Sequence, residues 1–203
     1  MPGTITLATY TDHVQALGVE DLSDAIIKQC LNQAQTEIAA TRLWNFRLTD
    51  ATITNGSATV SNLGVIHSGY YTGSNGDQTT IWPKDKRDLQ DASATLTSTS
   101  TAYPDFFYLD TSNVVKSYPL CTFTLRYYAN PTEMSATTDV SMVPDEMQMP
   151  LIYQAGGHAF ARVGILDMSQ QYFNLAKSGL DAFDALYNND FVQNLPVRFY
   201  NPE

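Results

Sequence analysis

At Trp44 the apolar rhythm of this 203-residue chain changes from steps of three and four to steps of two, and it reverts only near Pro144. Steps of three and four suit a helix with one buried face, and steps of two suit a half-buried strand. A chain that changes period twice has to be α+β, with its strands held between helical segments.

Before the change, Ile27, Cys30, Leu31, Ala34 and Ile38 recur at helical spacing, with Lys28, Gln29, Asn32, Gln33 and Glu37 between them. The run opens at Asp21-Leu22-Ser23-Asp24, where Asp21 or Ser23 can cap free N–H groups and the early acids suit the positive end of a helix dipole. Helix is predicted from there to about Leu43. Beyond Trp44, Asn55-Gly56 sits between the alternating runs 51–54 and 57–60, a pattern that predicts a hairpin. Gly64, Gly69, Gly73 and Gly76 predict long loops around one weak strand near Val65–Tyr71, and the Ser/Thr-rich segment 93–101 reads as an exposed edge strand or a loop. Segments 106–109, 114–118 and 122–128 are the remaining predicted strands. Val143-Pro144-Asp145-Glu146 then supplies a helix start, Leu151, Ile152, Ala155, Ala159, Val163 and Leu166 form a stripe, and a turn near Gly164 leads into a second helix, 168–187.

The expected architecture is a helical bundle made by the N-terminal helix and a C-terminal helical hairpin, with a small antiparallel β domain inserted. Residues 1–44 and 133–190 would form the bundle, 45–132 the insertion, and 191–203 a C-terminal tail.

Charge follows this division. The chain has 11 Lys+Arg against 21 Asp+Glu, a formal charge of −10. Segments 1–44, 45–132 and 133–203 carry −3, −1 and −6, so nearly all the excess negative charge lies in the helical segments. Such a chain is poorly suited to gripping a phosphate backbone or an anionic membrane surface. No apolar run reaches the roughly 18 to 20 residues of a membrane helix, and Met1–Val14 lacks the features of a signal peptide; synthesis in a cytoplasm is expected.

Chemistry is sparse. Cys30 and Cys121 are far apart and read as buried small hydrophobes, and His13, His67 and His158 form no metal-ligand spacing. No GxGxxG, GxxxxGK[ST] or GxSxG motif occurs, so neither a cofactor nor a catalytic site is expected. Asp88 with Asp91, and Asp181 with Asp184, would lie one helical turn apart, but a working acid pair needs burial to separate its pKa values. Aromatic residues are the enriched class, with 12 Tyr and 9 Phe, and Tyr70-Tyr71, Phe106-Phe107-Tyr108 and Tyr127-Tyr128 fall in the β segment. They suit a sheet core, a protein interface or, less simply, a sugar platform.

The order of segments resembles one family. The amphipathic first helix ends in Arg42-Leu43-Trp44 and is followed by the Thr-rich run around Asn55-Gly56. Tyr103-Pro104-Asp105-Phe106-Phe107-Tyr108-Leu109 precedes 114–119, and Leu125-Arg126-Tyr127-Tyr128-Ala129-Asn130-Pro131 follows. Asp139, Val143-Pro144-Asp145-Glu146 and the helix 151–164 close the series. This arrangement is similar to the head-to-tail adaptor, or connector, proteins of tailed bacteriophages, the group with tail-tubular and gatekeeper-like rings. The resemblance covers roughly residues 20–187.

That resemblance implies a structural virion protein at the head-tail interface rather than an enzyme. It would form a homo-oligomeric ring, commonly of twelve copies, between the portal protein and a tail nozzle or tail tube protein. DNA would pass through its channel without specific binding. Glu37, Asp181 and Asp184 are the candidate channel or inter-subunit residues. Phe191, Val192, Leu195, Pro196, Phe199 and Tyr200 of the tail are the candidate portal contacts. The alternatives are another phage ring component, such as a tail terminator or head-completion protein, and a carbohydrate-binding module.

Overall fold

The structure, a computed structural model, describes residues 3–85, 103–111 and 113–187. The chain divides into two compact units, one from the described parts of Met1–Ile38 and Glu133–Glu203, the other from those of Ala39–Thr132.

The first unit is helical. Helix α1 (Leu7–Gln15) starts where the Thr6 hydroxyl accepts from the Thr9 N–H, and it buries Leu7, Tyr10, Thr11 and Val14, spaced at three and four. Helix α2 (Asp24–Thr41) opens on the Ser23 carbonyl, which accepts from the N–H groups of Ile26 and Ile27. Its apolar positions Ile27, Cys30, Leu31, Ala34 and Ile38 are all buried. A 3-10 turn, Asp145–Met147, leads into α3 (Gln148–Arg162), and a turn at Gly164 into α4 (Leu166–Tyr187). That turn is closed by two bonds, Gly164 N–H to the Ala161 carbonyl and Ile165 N–H to the Phe160 carbonyl. Phe160 stacks on Tyr172 with ring centroids 5.2 Å apart, locking the two helices together.

The second unit is a seven-stranded sheet of β1 (Leu48–Ile53), β2 (Ser57–Thr59), β3 (Leu63–Thr72), β4 (Gln78–Pro83), β5 (Phe106–Thr111), β6 (Val114–Tyr118) and β7 (Phe123–Ala129). The strand order is β1-β7-β3-β4-β5-β6-β2, antiparallel except for the β4–β5 pair. Strands β1 and β2 follow one another in sequence yet occupy opposite ends of this order, so the sheet curls into a nearly closed, barrel-like form. Ile53, Ile81, Phe107, Val115, Phe123 and Leu125 are buried in it.

This overturns the expected fold. Among the described residues the protein is α+β with four helices and a major β unit; it is not a helical bundle carrying a small insertion. The sequence reading placed one weak strand near Val65–Tyr71, inside the longer β3, and missed β4, of which only Ile81 is buried. Glycine signals a loop only where its conformational freedom is used, and in β3 it is the lack of a side chain that is used. A Cβ on Gly69 would lie 2.8 Å from the Ile81 side chain and 2.9 Å from the Phe107 ring, so glycine lets two core side chains cross a central strand. The predicted hairpin at Asn55-Gly56 is also absent. Both residues do take positive φ, at 51° and 73°, but β1 pairs with β7 and β2 with β6. Gly56 is buried, and a Cβ there would meet the Leu120 backbone at 2.6 Å. Packing against that segment decides where the flanking strands go. Helix α1, too, was not anticipated, because its face depends on Tyr and Thr as much as on aliphatic residues.

Candidate functional site

Net charge divides between the two units more sharply than the linear segments suggest. Residues 1–38 and 133–203 carry fourteen acids against four bases, whereas 39–132 carry seven of each. The whole formal charge of −10 therefore belongs to the helical unit, and the β unit is neutral overall.

Glu37 lies on α2 and faces α3. Its Oε1 accepts from Gln33 Nε2 at 2.9 Å, and its Oε2 accepts from Gln154 Nε2 and bonds His158 Nε2, each at 2.7 Å. Burial alone would raise the Glu37 carboxyl, but the bonds from Gln154, Gln33 and His158, together with the His158 charge, bring it below its ordinary value. The His158 ring stands edge-on to Phe173, centroids 4.9 Å apart, so its orientation is set by packing on α4. Arg162, one turn further along α3, donates to Gln29 Oε1 at 3.0 Å. Sequence reasoning singled out Glu37 but missed its partners. Their signal was present in two i,i+4 pairs, Gln33 with Glu37 and Gln154 with His158.

Asp181 and Asp184 fall on α4 one turn apart, Asp181 exposed and Asp184 half-buried. Glu37 has its own set of partners on α2 and α3, separate from that pair. Phe191, Val192, Leu195, Pro196, Phe199 and Tyr200 lie outside the described residues, as do Asp88, Asp91 and the segment 93–101.

Elsewhere on the helical unit a cavity of about 300 Å³ is lined by Leu7, Thr11, Asp12, Asp24 and Lys28 among others. Lys28 Nζ donates to the Ser135 carbonyl at 3.3 Å and Gln15 Nε2 to Asp24 Oδ1 at 3.0 Å, so two of the polar groups around it are already engaged. Ser135 and Thr11 also line it, and their hydroxyls are bonded to Asp139 Oδ2 at 3.3 Å and to the Leu7 carbonyl at 2.9 Å. Among the described residues no group of three or more His, Cys, Asp or Glu could hold a metal ion.

On the outer face of the sheet, charge is paired off locally. Asp50 takes two bonds from Arg126, at 2.8 and 2.9 Å, and one from the Tyr70 hydroxyl at 3.0 Å, and the Arg126 guanidinium lies 5.4 Å from the Tyr70 ring centre. The Arg126 bonds are the largest influence holding the Asp50 carboxyl below its ordinary range. Lys116 Nζ donates to Asp110 Oδ2 at 2.5 Å. Trp82, on β4, is 59% exposed.

The formal charge is thus strongly acidic in one unit and neutral in the other, and Glu37, Asp50 and Asp110 are each bonded to side chains of their own unit. No curated protein matches the chain. A family model described as SU10 adaptor protein matches residues 5–196, nearly the whole length, and the chain therefore belongs to the SU10 adaptor protein family of phage head-to-tail adaptors.

Proposed function

We propose that this protein forms a ring of about twelve copies between the portal protein and a tail nozzle or tail tube protein, with DNA passing through the ring's channel. The observation that carries the reading is the family match over residues 5–196. Adaptor membership supports a structural role in the virion and contacts with portal and tail components.

The charge partition supports the finer part. Duplex DNA carries about one negative charge per 1.7 Å of axis, and each Lys or Arg that neutralises a phosphate adds binding strength through counterion release. A channel wall drawn from a unit with fourteen acids and four bases would let DNA slide without adhering. Glu37, Asp181 and Asp184 are the residues we assign to that wall or to the faces between subunits. The tail residues Phe191, Val192, Leu195, Pro196, Phe199 and Tyr200 are the assigned portal contacts, on the strength of their apolar character. The same ring would be a closed heterologous assembly, in which each copy offers one surface to the next and a different one to the previous.

The test is the solution mass of the purified chain by light scattering, alone and after mixing with portal particles. The reading expects a 22.5 kDa chain that becomes a stoichiometric ring on the portal. A chain that never assembles and ignores the portal overturns it.

A further inference from the structure

The face of the β unit around Trp82 has a use that the family membership does not assign. Ile81 is buried, so its strand neighbours Thr80 and Trp82 point to the opposite, outer side of the sheet. Trp82 stands beside Phe106 in the β4–β5 register, and Phe106 stacks on Tyr118 with centroids 5.5 Å apart. Lys84, two residues on, places its ammonium 4.4 Å from the Phe106 ring centre. The result is a row of rings across β4, β5 and β6 in which Phe106 is buried, Tyr118 half-buried and Trp82 the protruding member. A tryptophan exposed on a paired strand is the kind of residue that dominates an interface, because it removes a large area from water and loses little conformational entropy.

Charge decides what can cover it. Two copies approaching through their helical units bring fourteen acids against four bases on each side, and they repel. The β unit has seven of each. The two ion pairs on its outer face, Asp50 with Arg126 and Asp110 with Lys116, are closed within the chain and carry no net charge into a contact. The neutral unit, with its large exposed aromatic residue, is thus where a second copy can dock without electrostatic cost.

We propose that one copy places the outer face of its β unit, with Trp82 as the anchor, against a different surface of the next copy's β unit. The occupant of the face is a second copy of the chain; the proposal rests on the ring reading above and specifies which surface builds it. The acidic helical units are then held apart from one another by repulsion and remain available to line a passage.

The test uses the full chain on portal particles. A photo-reactive benzoylphenylalanine at position 82 is cross-linked in the assembled ring, and Trp82→Glu and Trp82→Phe are compared with the parent by solution mass. The proposal expects the cross-link to join two copies of this chain. It also expects Trp82→Glu to weaken assembly roughly thirty-fold or more, as loss of an aromatic hot spot does, and Trp82→Phe to recover most of it. A cross-link only to portal or tail protein, or no cross-link at all, overturns it. So does a folded Trp82→Glu chain that assembles like the parent. In these outcomes the parent still forms a ring and the ring reading stands. A parent chain that forms no ring overturns both.

Discussion

Replacing Arg47 tests how a buried cation is accommodated without a carboxylate. Arg47 follows the last turn of α2 and is 6% exposed. Its Nε donates to the Ala129 carbonyl at 2.8 Å, its Nη1 to the Ala39 carbonyl, and its Nη2 to Asn130 Oδ1 at 3.5 Å. Ala39 is among the carbonyls that the end of α2 leaves without an intrahelical partner, and Ala129 is the last residue of β7. One guanidinium therefore closes a helix end and a strand end together, and burial pulls its pKa below the ordinary value. Arg47→Ala removes two short bonds from a charged donor, each worth about 1.5 kcal/mol at the low end, for a loss of about 3 kcal/mol. For a chain of this size that lowers the thermal midpoint by ~6–12 °C. Arg47→Lys keeps the charge but not the fork, so it satisfies one carbonyl at a time and loses about half as much. Urea unfolding followed by circular dichroism and by the fluorescence of buried Trp44 measures both. An alanine variant within about 0.5 kcal/mol of the parent, or a lysine variant less stable than the alanine one, would refute the account.

Tyr10 is fully buried and its hydroxyl has no hydrogen-bond partner, while burial, helped by the Asp145 charge, pushes its pKa up to about 12. Tyr10→Phe should therefore leave stability unchanged or raise it by about 1 kcal/mol; a clear loss on thermal melting would reveal a bond to that oxygen. The Glu37 carboxyl sits below its ordinary value of 4.5, so its stabilisation is complete above that value and is lost as pH falls through the lower folded one. The gap in urea midpoint between parent and Glu37→Gln should accordingly shrink on acidification, and a gap that stays constant to pH ~3 contradicts the assignment. At Gly56 a side chain meets both a positive φ and the Leu120 backbone, so Gly56→Val should cost about 2–4 kcal/mol. A Gly56→Val chain that melts with the parent would show that the turn can move.

The helical segments were legible because their signal is local. The buried positions of α2 follow from spacing alone, and the start of α3 was marked by Pro144 and the two acids after it, although a 3-10 turn intervenes before Gln148. Strands β5, β6 and β7 were legible as β-branched and aromatic runs. Strand β4 was not, since Gln78, Thr79 and Thr80 are exposed and only Ile81 reaches the core. Sequence singled out Glu37, but not why it is where it is. Its bonds to Gln154 and His158 span more than a hundred residues, and nothing in the local pattern of α2 announces them.

What the sequence determined by itself was the succession of helix, sheet and helix, the buried face of α2, and an acidic excess outside the sheet. These rest on nearest neighbours along the chain and on composition. Of the stripe expected along the C-terminal helices, Val163 and Leu166 are exposed. The tertiary structure alone decided that Asn55-Gly56 separates two strands instead of joining them, because a strand's partner is chosen by competition among distant edges. It alone decided why position 69 in the longest strand is glycine, since the side chains that require its small size come from Ile81 and Phe107. And it alone placed Trp82 on the outside, because which face of a strand is wet depends on where the sheet curls, and the order of seven strands sets that curl.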